Sequence, residues 1–236
     1  AIPVSEKNRR RQSGRCMDCG VPFCQAGVRF EGELLGCPLH NLIPEWNDLL
    51  WNGNYEGALQ RLRKTSPFPE ITGRVCPALC ERACVCGRIS EPVTVRENEL
   101  AIAEYGFEND LIQPCVPQVR SDRKIAVIGS GPAGLAAAYY LNRRGHTVTV
   151  FEKDAVPGGL LTYGIPEMKL PKRVVARRIA LLTQEGITFR PSCCVGTDIS
   201  AQDLAEQYDL VIFCCGAQQP RPLPCAEQAP QGVYYA

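Results

Sequence analysis

Cys16, Cys19, Cys24, Cys37, Cys76, Cys80, Cys84 and Cys86 all precede a glycine-rich loop that begins at Gly129. Thiolates at short, regular spacings hold zinc or iron–sulfur clusters. A strand followed by Gly-x-Gly-x-x-Gly holds a dinucleotide at the start of a helix. A chain with both is equipped to pass electrons between a two-electron organic cofactor and one-electron metal centres.

The thiol spacing narrows the choice. Cys16-x2-Cys19-x4-Cys24 is followed by Cys37-Pro38, and further on Cys76-Pro77 leads to Cys80 and Cys84. Two groups with at least seven cysteines fit two sites better than one. A [4Fe–4S] cluster takes four ligands, and the cysteine after one run can ligate the other cluster, so the groups would interleave. Structural zinc also accepts four thiolates. The Cys-Pro pairs and the dinucleotide loop alongside lean to iron–sulfur. A disulfide framework fits poorly, because disulfide-dense folds are mostly small and secreted. The vicinal pairs Cys193-Cys194 and Cys214-Cys215 sit in apolar, strand-like stretches, where a free cysteine behaves as a small hydrophobe. A reducing, cytoplasmic setting follows.

In Gly129-Ser130-Gly131-Pro132-Ala133-Gly134, each glycine has a task. Gly129 permits the tight turn, Gly131 lets a pyrophosphate approach the backbone, and Gly134 lets helix and strand pack closely. The helix N-terminus then offers free N–H groups to the phosphates. Glu152, with Lys153 after it, stands where an acid should grip ribose hydroxyls. Gly158-Gly159-Leu160 is a second place for backbone to approach a ligand, which weighs towards FAD over NAD alone.

The elements that must position these groups differ between the two halves. Residues 16–37 read as loops and turns. Pro44 to Arg63 is helical in pattern, broken at Asn52-Gly53-Asn54, with Trp46, Leu49, Leu50, Leu59 and Leu62 on the buried face. Asn98 is placed to cap a helix that runs to about Phe107. From Lys124 the pattern alternates strand and helix: strands at Ile125–Ile128, Thr147–Phe151, Ile187–Phe189 and Leu210–Phe213, helices from Pro132 and from Pro171. Val174, Val175, Ile179 and Leu182 mark the inner face of the last helix. Lys172, Arg173, Arg177 and Arg178 read as its solvated face. His40 and His146 stand apart from any ligand cluster, and Trp46 and Trp51 read as core or interface.

The bounds agree. The chain has 236 residues, 45% apolar, with net charge +1. That balance excludes a general nucleic-acid or membrane-surface role. No apolar run approaches the roughly 20 residues that span a bilayer, and the first residues lack the layout of a secretory signal.

Three stretches are specific enough to place the chain. They are Cys16-Met17-Asp18-Cys19-Gly20-Val21-Pro22-Phe23-Cys24, then Gly73-Arg74-Val75-Cys76-Pro77, then Gly158-Gly159-Leu160-Leu161-Thr162-Tyr163-Gly164-Ile165-Pro166, closed by Lys169-Leu170-Pro171. On these, residues 14–236 resemble the N-terminal half of the small (beta) subunit of NADPH-dependent glutamate synthase. The electron-input region of dihydropyrimidine dehydrogenase is similar. The resemblance implies an α/β protein: an α-helical, two-[4Fe–4S] ferredoxin-like domain over residues 1–113, a linker at 114–123, and a partial Rossmann-type FAD-binding domain at 124–236.

The resemblance also implies ligands. Cys16, Cys19, Cys24 and Cys84 would hold one [4Fe–4S] cluster; Cys37, Cys76 and Cys80 would hold the other. Its fourth ligand would be Glu99, after Pro92-Val93-Thr94-Val95, with Cys86 as rival. For FAD it implicates Gly129, Ser130, Gly131, Pro132, Ala133, Gly134, Glu152, Lys153, Gly159, Leu160, Lys169, Val195 and Gly216. Relatives take electrons from NADPH and feed a glutamate-forming large (alpha) subunit; an accessory electron-entry role in another redox complex would use the same parts. A zinc-stabilised interaction module is the reading from a different class. In the family a second glycine-rich domain binds NADPH; the chain ends at Ala236 before such a motif, and the expectation is a fragment that does not oxidise NADPH by itself.

Overall fold

The computed structural model describes residues 5–217. The chain divides into two compact units, Ala1–Gln113 and Pro114–Ala236.

The first unit is mostly helical. Helix α1 (Glu6–Ser13) starts at Ser5, whose hydroxyl accepts the Asn8 N–H at 3.3 Å. Strands β1 (Val28–Phe30) and β2 (Glu33–Leu35) form a small antiparallel hairpin. Its turn residues, Glu31 and Gly32, both have positive φ, as a two-residue hairpin turn of the primed type requires. Helices α2 (Ile43–Trp51) and α3 (Tyr55–Leu62) meet at the expected turn, where Asn54 Oδ1 accepts the Gly57 N–H at 2.9 Å. Then come α4 (Pro69–Val75), α5 (Leu79–Arg82) and α6 (Val95–Glu108). Trp46, Leu50, Leu59, Leu62 and Ile102 are buried; Leu49, expected on that face, is half-buried.

Asn98 does not cap α6. The helix begins a turn earlier, and Asn98 sits buried inside it, donating Nδ2–H to Asn47 Oδ1 at 2.9 Å. A tertiary partner satisfies a side chain that local propensity would place at a helix end.

The second unit holds four parallel strands in the order β5–β4–β3–β6: β3 (Lys124–Ile128), β4 (Thr147–Phe151), β5 (Thr188–Arg190) and β6 (Leu210–Phe213). Ile125 pairs with Val148 on one side and Leu210 on the other. Helices α7 (Pro132–Arg143), α8 (Leu160–Tyr163), α9 (Lys172–Gln184) and α10 (Ala201–Gln207) connect them. Chain order reverses between β3 and β6, and ligands of open α/β sheets bind beyond the carboxyl ends of the strands at such a point. Cys193-Cys194 and Cys214-Cys215 fall in loops just after β5 and β6, so the strand-like reading of both pairs is corrected.

Residues 114–123 are tied to this unit. The Cys115 N–H donates to buried Glu185, and Arg120 donates to Asn142 Oδ1 at 2.6 Å and to the Glu185 carbonyl at 3.1 Å. The basic face of α9 also departs from expectation. Arg178 is fully buried, and Lys172 Nζ donates to the carbonyls of Leu161 and Ile165. A long basic side chain is drawn inward where carbonyls at the end of a short helix need donors. Among the described residues, no helix is long and apolar enough to cross a membrane.

Candidate metal and nucleotide sites

The folded first unit sorts the thiols into two groups. Cys16, Cys19, Cys24 and Cys84 line one pocket, together with Phe23, Pro44, Val85 and Val93. The Cys24 thiol is pushed up to about 12, first by burial and then by the charges that Cys16, Cys84 and Cys19 would carry beside it. Cys16 is raised too, by burial, against an opposing bond from the Asp18 backbone. In the second group, Cys80 is raised by burial and by Cys37, Glu81, Glu99 and Cys76; Cys37 is raised by burial, with Glu99 and Cys76 among its neighbours. Buried thiols crowded together gain from a positive centre that takes their charge once the protons leave.

The groups interleave along the chain: Cys84 joins residues 16–24, and Cys37 joins residues 76–99. Among the described residues, no three His, Cys, Asp or Glu side chains stand close enough to hold a single ion. The first four thiols surround a pocket instead.

Backbone strain marks three of these cysteines. Asp18, His40 and Ala78 have φ of 47°, 51° and 56°, the left-handed region that non-glycine residues seldom enter. Each follows a candidate ligand by two or three positions. The Ala78 N–H donates to Cys76 Sγ at 3.4 Å. Cys16 receives a backbone bond from Asp18, and Cys37 receives them from Leu39 and Asn41. Such turns form concavities of N–H groups that favour negative sulfur, as at many iron–sulfur sites. Sequence reading missed them, since Asp, His and Ala carry no turn signal as strong as glycine.

Glu99 lies with Cys37 and Cys80. It is buried, and burial pushes its carboxyl up to about 7 despite hydrogen bonds from Thr72 and Ser66. Both bonds land on Oε1, so Oε2 keeps lone pairs for a further partner. Cys86, the rival, lines the pocket of the first group and donates Sγ–H to the Arg15 carbonyl at 3.3 Å.

In the second unit, the loop from Gly129 to Gly134 closes on itself. Gly134 admits no side chain, because a Cβ there would fall 1.9 Å from the Gly129 carbonyl oxygen. At Gly131, the N-cap of α7, a Cβ would meet nothing within 4 Å. That open space is the approach a pyrophosphate needs. Gly159, at φ 53°, brings a second stretch of backbone against Gly131. Pro132 and Ala133 form the first turn of α7, whose N-terminus adds free N–H groups.

Glu152 does more than stand at a strand end. Its Oε2 accepts the Ser130 N–H at 2.9 Å and the Ser130 hydroxyl, while Oε1 accepts the Asp154 N–H at 3.0 Å. Ser130 Oγ in turn accepts the Gly158 N–H at 2.8 Å. Buried Ser130 thus joins the phosphate loop, the end of β4 and the second glycine pair. Burial alone would raise the Glu152 carboxyl, but the bonds from Asp154, Ser130 and Lys153 outweigh it and hold it below the usual carboxylate range.

Comparison with known proteins adds an independent line. Residues 1–111 match the family model described as dihydropyrimidine dehydrogenase domain II, 4Fe-4S cluster, and residues 127–175 match an NAD(P)-binding Rossmann-like domain. The glutamate synthase [NADPH] small chain of Bacillus subtilis is 55% identical over 100% of this chain and 48% of its own length. The corresponding chain of Mycobacterium tuberculosis H37Rv is 49% identical over 96% of this chain and 45% of its own. The glutamate synthase [NADH] of Saccharomyces cerevisiae is 45% identical over 99% of this chain and 11% of its own. Over its whole length the chain is similar to part of the glutamate synthase small chain.

It spans about half the length of the small chains it matches. Of the other positions that the glutamate synthase resemblance implicates, Val195 is half-buried against Ala126, Ile128, Phe151 and Leu204. Gly216, at φ 66°, lies exposed just past β6, beside the Cys214 carbonyl that closes on Gly129. Leu160 is exposed at the start of α8; Lys153 and Lys169 are exposed beyond β4 and α8.

Proposed function

We propose that this chain is the electron-carrying part of an NAD(P)H-dependent flavin and iron–sulfur oxidoreductase, the small subunit of a glutamate synthase. The observation that carries the reading is that Cys16, Cys19, Cys24 and Cys84 line one pocket, with Cys86, while Cys37, Cys76, Cys80 and Glu99 neighbour one another elsewhere in the unit. Cys16, Cys19, Cys24 and Cys84 hold one [4Fe–4S] cluster; Cys37, Cys76, Cys80 and Glu99 hold the other. Thiols that surround a pocket suit the corners of a polynuclear cluster, whereas zinc needs every sulfur about 2.3 Å from one point. The N–H groups turned by Asp18, His40 and Ala78 stabilise negative sulfur.

In the second unit, Gly131 and the N-terminus of α7 hold a pyrophosphate, Gly134 lets that helix pack close against the end of β3, and Glu152 and Ser130 fix the loop. Gly159 and Leu160, Lys153 and Lys169, Val195 and Gly216 surround the rest of an FAD. Bound together, FAD and the clusters supply the conversion of a hydride from NADPH into single electrons. Met17 and Phe23, half exposed at the mouth of the first thiol pocket, offer an apolar surface for the glutamate-forming large subunit in the cytoplasm.

Anaerobically purified protein is expected to carry about eight irons, as many sulfides and one FAD. Stoichiometric zinc without sulfide rejects the reading. Mixed with the large subunit, it should sediment as a complex; no association favours another redox partner.

A further inference from the structure

Five thiols line the first pocket, yet a four-iron cluster has four corners. The fifth is Cys86. It shares a single tight turn with Cys84, which caps the 3-10 segment Val85–Arg88. Its Sγ–H points at the carbonyl of Arg15, the residue before the first ligand of the group. It is half-buried, on the pocket side of that turn.

We propose that Cys86 is a reserve ligand of the first cluster, able to replace Cys84 at the same iron. The proposal rests on the two-cluster reading above. The exchange is a ligand substitution with no change in oxidation state. One iron–Sγ bond to Cys84 breaks and one to Cys86 forms. The Cys86 thiol gives up its proton and its hydrogen bond to Arg15, and the Cys84 thiolate takes a proton up. The two residues belong to the same turn, so the swap needs rotation within residues 84–88 and leaves Cys16, Cys19 and Cys24 in place.

Four proteins test this after anaerobic reconstitution, with iron, acid-labile sulfide and the electron paramagnetic resonance of the dithionite-reduced state as readouts. Wild type should hold about eight irons; if it does not, the two-cluster reading fails first and separately. Cys86→Ala should keep about eight with an unchanged spectrum. Cys84→Ala should also keep about eight, with a shifted signal from the first cluster. Cys84→Ala/Cys86→Ala should fall to about four. Iron at about four in Cys84→Ala, folded or not, overturns the proposal. So does Cys86→Ala falling to about four, since Cys86 would then be the resident ligand.

Discussion

Gly131 and Gly134 share one loop but answer to different demands, and alanine at each separates them. At Gly134 an added Cβ falls 1.9 Å from the Gly129 carbonyl oxygen, about 1.5 Å inside ordinary contact. The obstacle is backbone at the end of β3, so nothing flexible can yield. Overpacking of this kind costs about 1–3 kcal/mol, and an immovable carbonyl puts it at the upper end. Alanine returns about 1 kcal/mol through helix propensity, leaving a net loss of about 2 kcal/mol. For a unit of this size that is about 8 °C in its melting. At Gly131 the Cβ meets nothing, and φ −65°, ψ −178° is backbone that alanine adopts freely. Gly131→Ala should therefore stabilise the flavin-free unit by about 0.4–1 kcal/mol, through the unfolded chain. It should still weaken FAD about tenfold or more, because the methyl occupies the pyrophosphate's path. Circular dichroism follows both units, while tryptophan fluorescence reports only the first, which holds Trp46 and Trp51, the chain's two tryptophans. The transition seen only by dichroism belongs to the second unit. Equal destabilisation by the two substitutions, or wild-type flavin occupancy in Gly131→Ala, would refute the reasoning.

Three further outcomes follow from named contacts. Cys80→Ala should lower iron to about four per chain and leave the first group's signal intact, since the proposed ligand sets share no residue; loss of both signals would contradict that proposal. Glu152→Gln puts an amide donor where Ser130 and Asp154 already donate, and should cost about 1–3 kcal/mol in the second unit. Because the folded Glu152 carboxyl lies below its unfolded value, its contribution is present above about pH 4.3 and fades as pH falls through the folded value. The variant should show less acid-side loss in a series of melts from pH 7 to pH 3. Asn98→Ala strands the buried Asn47 amide and should cost about 1–3 kcal/mol, read as an earlier tryptophan transition; an unchanged midpoint would show the pair to be dispensable.

The second unit was largely legible in the sequence. Buried parallel strands are continuous apolar runs, and Gly129–Gly134 between one of them and an Ala-rich helix leaves few alternatives. The first unit was legible in its helices but not in how its loops wrap sulfur. The turns at Asp18, His40 and Ala78 are imposed by tertiary structure, and Glu31-Gly32 is a weaker hairpin signal than Asn-Gly. Charge misled where burial won: Arg178 looks solvated in a run of basic residues, yet it is fully enclosed. Asn98 misled because its partner, Asn47, lies in another helix. Ser130 carried no signal of its own; its place as the joint between Glu152 and Gly158 exists only once the chain is folded.

The crossed order of the two thiol groups bears on how the protein can be made. On the proposed ligand sets, by Cys24 a growing chain already displays three ligands of the first group, but Cys84 leaves the ribosome only after Cys37, Cys76 and Cys80 have emerged. The second group in turn waits for Glu99. Neither centre can be finished before the other is nearly complete, and each ties shut a loop that the other passes through. Metal uptake of this kind is also folding free energy. A nick anywhere between Cys37 and Cys76 would open both loops together. Maturation on these sets is a late event for the helical unit, and a chain stalled before Cys84 would present thiols to oxidants with no finished centre to protect them.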